Sequence, residues 1–187
     1  MTLFINACVR KESRTKKLAD RLLKKIHDEV QEVRLEDINF PAVDEDFLNK
    51  RDSLIFKREF NDPMFDLANQ FAKAERIVLA APYWDMSFPS SVKQYFEQIN
   101  VRGITFVYTE KGFPKGLCRA KKLFYVASSG GPNASPDYGF GYVKALANVF
   151  YGIEDVKLIT AEGLDIYGAD QKAIMEKAIK EIDKIEV

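Results

Sequence analysis

Ile77-Val78-Leu79-Ala80-Ala81-Pro82-Tyr83-Trp84-Asp85-Met86-Ser87-Phe88-Pro89 is the stretch on which the fold turns. Its first part, Ile77 to Ala81, is apolar without alternation, so it reads as a strand covered on both faces. Pro89 suits the first turn of a helix, and Val92, Phe96 and Ile99 follow on one helical face with Tyr95 beside it. A doubly covered strand that runs into a helix is the unit of a parallel α/β sheet.

The same unit recurs in both directions along the chain. Upstream, Leu3 to Ile5 begins a buried strand, and Ser13 caps a helix carrying Leu18, Leu22 and Ile26. Val30 to Leu35 is a half-buried strand. Residues 37–61 are polar; 44–58 leaves room for one or two helical turns, and no site is placed there. Asp62-Pro63 starts a helix that buries Met64, Leu67, Ala68 and Phe71. Downstream, Ile104 to Tyr108 is a short strand in an excursion that reaches Cys118. Leu123 to Ala127 is a further buried strand, and Val143, Leu146, Ala147 and Phe150 mark a helix. Val156 to Ala161 is the fifth main strand, and Asp170 caps a last helix with Ile174, Ala178, Ile182 and Ile185 inward. Charges in the second and fifth strands place them at the edges. The expected architecture is one α/β domain over 1–187, a three-layer sandwich with a five-stranded parallel sheet in order 2-1-3-4-5 and helices on both faces.

Composition narrows the function. Lys plus Arg and Asp plus Glu each number 28, and a formal net charge of zero argues against nucleic acid as partner. Cys8 and Cys118 form no C-x-x-C pair, which fits a reducing, cytoplasmic setting. The N-terminal residues lack the pattern of a secretory signal, and no run approaches the length of a membrane span. His27 is the only histidine, so neither a Ser-His-Asp triad nor a multi-histidine metal site is expected, and no catalytic side chain or metal ligand is assigned.

In a sheet of this order a ligand sits beyond the carboxyl ends of the first and third strands. Loops 7–15, 82–88 and 128–141 converge there. The first ends at a helix N-terminus, where Arg10, Ser13, Arg14 and Thr15 suit an anion; an ordinary capped helix with basic neighbours would look the same. The second holds Pro82, Tyr83, Trp84, Asp85 and Met86, which suit a planar amphipathic ring or, equally, a closed core top or subunit contact. The third, Ser128-Ser129-Gly130-Gly131, allows close backbone approach or is a plain flexible turn. Residues 136–141 suit a mobile flap.

With these loops, the chain resembles the FMN-dependent NAD(P)H:quinone oxidoreductases and azoreductases. The matching runs are 81–86, Pro89 with Lys93-Gln94-Tyr95-Phe96, 103–112, 128–131, Asp155-Val156-Lys157 and Ala161-Glu162-Gly163. The resemblance implies FMN as cofactor, NADH or NADPH as donor, and a small quinone or azo-type acceptor reduced by two electrons in a ping-pong cycle. It implies Ser13, Arg14 and Thr15 at the flavin phosphate, Tyr83 to Met86 along the ring, and Ser128 to Gly131 at its other edge. It further implies a homodimer with residues 88–99 facing the partner and Tyr108 near the site's mouth. Cys8 stands where that family often carries serine, which implies a weaker or redox-sensitive site; Asp85 stands where many carry asparagine. A one-electron carrier and a flavin-free interaction protein are the competing expectations.

Overall fold

The computed structural model describes residues 1–132 and 134–187. In chain order the elements are β1 (Thr2–Asn6), α1 (Arg14–Leu23), β2 (Val30–Arg34), α2 (Glu45–Lys57), α3 (Asp66–Lys73), β3 (Arg76–Ala80), α4 (Ser90–Ile99), β4 (Phe106–Tyr108), β5 (Pro114–Gly116), β6 (Lys122–Ser128), α5 (Phe140–Leu146), β7 (Asp155–Ala161) and α6 (Gln171–Lys184).

Five of these strands form one parallel sheet in order β2-β1-β3-β6-β7, the order expected from edge charge and central burial. The register explains why the central strands do not alternate. Leu3, Ile77, Leu123 and Val156 lie in one cross-strand row, and Phe4, Val78, Phe124 and Lys157 in the next. The first row enters the core with α3, α4 and α5. From the second row Phe4, Val78 and Phe124 enter a separate core with α1 and α6. A central strand therefore needs apolar side chains on both faces, whereas β2 buries only Val33.

The middle segments depart from expectation. Residues 44–58 form almost four turns of helix rather than one or two. Asp44 caps α2 through the amide of Phe47, and Arg58 ends it at φ +59. Asp62-Pro63 opens a single tight turn, Pro63–Phe65, before α3 begins. The excursion is a hairpin: β4 pairs antiparallel with β5. Gly116 of that hairpin lies against the backbone of Tyr151 and Gly152, past the π-helical turn Ala147–Tyr151 that follows α5, so closely that a Cβ there would collide with it.

Candidate functional site

The first loop delivers a capped helix. Ser13 accepts from the amide of Lys16 at 3.2 Å, a cap that contributes about 1 kcal/mol. The amides of Arg14 and Thr15 find no acceptor among the described residues. They are free donors at the positive end of the α1 dipole. The buried Thr15 hydroxyl lies 2.7 Å from that of Ser128, so the first and third loops are joined directly.

The second loop folds into a two-residue hairpin. Trp84 and Ser87 exchange backbone hydrogen bonds of 3.0 and 2.7 Å, with Asp85 and Met86 at its tip. Both tip residues have positive φ, +49 and +68. Aspartate tolerates this region; for methionine it costs roughly 1 kcal/mol. The amide of Tyr83 donates to the carbonyl of Ser128 at 3.1 Å, which fixes the hairpin to the third loop. The Ser87 hydroxyl donates to the carbonyl of Tyr138 at 2.7 Å, which joins the segment 136–141 to the hairpin at that point.

The third loop leans on a segment to which the sequence assigned no role beyond the matching run Ala161-Glu162-Gly163 at its start. Residues beyond β7 run beside it: the amide of Leu164 donates to the carbonyl of Ser129, that of Asp165 to Gly130, and that of Gly163 to Gly131. A Cβ on Gly130 would run into the Asp165 carboxylate, which would have to move aside. Asp165 also accepts from both terminal guanidinium nitrogens of Arg14, at 2.8 and 3.2 Å. The hydrogen bonds from Arg14 hold its carboxyl below the usual carboxylate range. Asp165 follows a strand end of ordinary composition, and its partner lies 151 residues away in sequence; no local pattern marks it.

Together the loops enclose a cleft of about 260 Å³ at the carboxyl ends of β1, β3 and β6. Arg10, Ser13, Arg14, Thr15, Pro82, Tyr83, Trp84, Ser128 and Gly130 line it, joined by Val9, Glu12 and Asp165. The other expected residues lie around it. Asp85 and Met86 occupy the hairpin tip, Gly131 is exposed, and Ser129 is buried with its hydroxyl donating to the carbonyl of Gly131. Tyr108 projects from the β4–β5 hairpin and is not part of the wall. Cys8 is not part of it either. Its thiol is buried against the carbonyl of Ala80 at 3.8 Å, and burial raises its pKa. His27 is exposed, past the far end of α1.

The charges within the wall are balanced, Arg10 and Arg14 against Glu12 and Asp165. Arg14 is already paired, while Arg10 makes no ion pair among the described residues. A phosphate here would be met by free amides, hydroxyls and Arg10, not by a general excess of positive charge. The amides of Gly130, in the wall, and of the exposed Gly131 beside it likewise lack acceptors among the described residues. The donor set therefore fits a phosphorylated ligand whose body extends past Trp84.

Comparison with known proteins gives the same picture. A family described as having a flavodoxin-like fold matches residues 1–185. The FMN-dependent NADH:quinone oxidoreductase of Coprothermobacter proteolyticus is 36% identical over 187 residues, covering 93% of this chain and 90% of that protein. An azoreductase crystal structure from Bacillus anthracis str. Sterne matches with a TM-score of 0.83 and 26% identity, covering 98% of this chain and 96% of the other. The FMN-dependent NADH-azoreductase of Bacillus anthracis str. Ames Ancestor, solved in complex with FMN, matches with a TM-score of 0.80 and 25% identity, covering 98% and 95%.

Proposed function

This chain belongs to the flavodoxin-like fold family that matches residues 1–185, and from that premise we propose that it is an FMN-dependent NAD(P)H oxidoreductase reducing a quinone or azo-type acceptor by two electrons. The observation that carries the reading is the pair of unclaimed amides at Arg14 and Thr15, facing a cleft that also holds the unpaired Arg10.

Each loop then has a task. Arg10, the amides of Arg14 and Thr15 and the hydroxyls of Ser13 and Thr15 hold the phosphate. Pro82, Tyr83 and Trp84, with Asp85 and Met86 at the tip, flank the ring. Ser128, Ser129, Gly130 and Gly131 present backbone groups to its other edge. FMN held there would supply the two-electron hydride chemistry between NADH or NADPH and the acceptor. The protein's share is orientation and fixed dipoles. No acid, base or nucleophile is required of the side chains. Donor and acceptor share one cleft, so they enter in turn and the kinetics are ping-pong.

Exposed apolar groups ring the mouth, with Trp84, Met86 and Tyr138 all open to solvent. They support a homodimer whose contact runs beside the site, and the two free cysteines, both buried, support a cytoplasmic setting. Among the described residues no helix is long and apolar enough to cross a membrane. The test is to load the protein with FMN and add NADH and NADPH separately without oxygen. Prompt loss of the yellow flavin colour with at least one donor is expected. Bound flavin that neither donor bleaches would make the chain an electron carrier, and failure to take up FMN would remove the reading.

A further inference from the structure

The sheet ends in two strands that pair on one side only, β2 and β7. β2 is guarded: Gln31, Glu32 and Arg34 are all exposed along it. β7 is not guarded in this way. Leu158, at its middle, is 38% exposed, and Lys157 and Asp155 balance each other's charge. A groove of about 780 Å³ runs along this edge, between residues 157–162 and α6. It shares no residue with the cleft described above. An unpaired strand edge offers a row of backbone donors and acceptors, so it selects an extended chain over a compact ligand.

The helical wall says which chain. α6 lines the groove with Ile174, Lys177, Ala178, Glu181, Ile182 and Ile185. Laid antiparallel on a copy of itself, about a point between Ile179 and Lys180, this stripe is self-complementary. Ile174 meets Ile185, the small Ala178 meets Ile182, and Lys177 meets Glu181. A twofold axis makes each of these contacts twice. Lys177 makes no ion pair among the described residues, although Glu181 lies one turn away. Glu181 holds Lys184 at 2.7 Å, an exposed pair that is readily exchanged. The charges of the whole groove also cancel, Lys157 and Lys177 against Glu162 and Glu181, so two copies do not repel. Because α6 returns along β7, the middle of 157–162 and the middle of the helical stripe lie abreast, and one axis serves both.

We propose that this face docks a second copy of the chain, β7 and α6 antiparallel on their counterparts, which joins two five-stranded sheets edge to edge. The contact is separate from the one beside the cleft and does not depend on the flavin reading. One strand edge and one helix face make a small interface, of the weak class that forms only in concentrated solution. Where the contact beside the cleft pairs chains in dilute solution, this one joins the pairs.

Light scattering on the full chain from about 5 µM to about 500 µM covers the range in which mass action exposes such a contact. The mass is expected to rise about twofold across it, from whichever value the dilute protein holds. Failure of the contact beside the cleft would therefore change the starting mass and not the rise. Lys177→Glu and Glu181→Lys each set like charges against one another twice, and each is expected to weaken the association about tenfold. Both substitutions in one chain exchange the signs and restore it, and so does mixing the two single variants. Circular dichroism confirms that each variant is folded. A constant mass overturns the proposal and leaves the edge to an extended segment of another protein. Single variants that associate like the parent, or a double variant that does not recover, overturn it as well.

Discussion

At the scale of single residues, the hairpin tip is where local preference and position disagree most. Asp85 and Met86 both adopt left-handed backbone, and only the first is a residue suited to it. A carboxylate beside a flavin cannot donate to a carbonyl, and when ionised it opposes negative charge on the reduced ring. Asp85→Asn keeps a side chain that tolerates this backbone and replaces the charge by a donor. A redox titration of the FMN-loaded variant is expected to give a higher midpoint potential; an unchanged or lower value would separate Asp85 from the flavin. The cysteines lead to the opposite conclusion, that they take no part. Burial raises the Cys8 thiol and pushes Cys118 up to about 12. Thiolate is the reactive form, and at pH 8 a group at about 12 is ionised on the order of one part in 10⁴. Because the folded values lie above the unfolded ones, the protonated thiols favour the fold below the ordinary thiol range, and this contribution fades as pH rises toward about 12. Iodoacetamide at pH 8 is expected to label neither cysteine in the native protein and both in urea. Native labelling of Cys8 would show that loop 7–15 opens. The redox-sensitive site expected from Cys8 therefore has no exposed thiol behind it.

At the scale of elements, what could be read from the sequence was what packs. β1, β3 and β6 announce themselves because both faces are buried, and α4 because its inward face repeats at helical spacing. α2 was largely hidden for the converse reason. Only Leu54 is fully buried, so no apolar stripe advertises the helix, and its ends are set by Asp44 and Arg58 instead. Two strand-to-helix loops of the cleft were legible through serine, threonine and aromatic residues, and the third through paired glycines. In their fourth companion, the segment after β7, Ala161-Glu162-Gly163 was marked but Asp165 was not, since it acts through contacts with Arg14 and Gly130 that only the folded chain creates. Gly130→Ala tests that contact. The new methyl must displace the Asp165 carboxylate, which in turn holds Arg14. FMN affinity is expected to fall about tenfold or more, corresponding to ~1.4 kcal/mol, and to recover in part when Asp165→Ala is added. Titration of flavin fluorescence measures both variants; equal affinity in Gly130→Ala and the parent would show that the loop shifts freely.

At the scale of the whole molecule, the sheet divides labour between its two ends. The amino ends of the strands are tied by ion pairs such as Arg76 with Asp28, while the carboxyl ends carry the free donors. Trp84, Met86 and Tyr138 are exposed at that second end, which leads to an expectation for the assembly. Sedimentation equilibrium should give twice the 21.4 kDa chain mass, and plots of reciprocal rate at several acceptor concentrations should be parallel. A monomer with intersecting lines would contradict both the shared cleft and the contact beside it. The lacing of the cleft has one more implication. Thr15 to Ser128, Tyr83 to Ser128 and Arg14 to Asp165 tie the loops to one another by contacts within the chain. A receptacle shaped in advance spends little binding energy on ordering itself. Such a protein, stripped of its natural pigment, should accept chemically altered flavins by simple mixing, and so serve as a host in which the ring is exchanged while the walls stay the same.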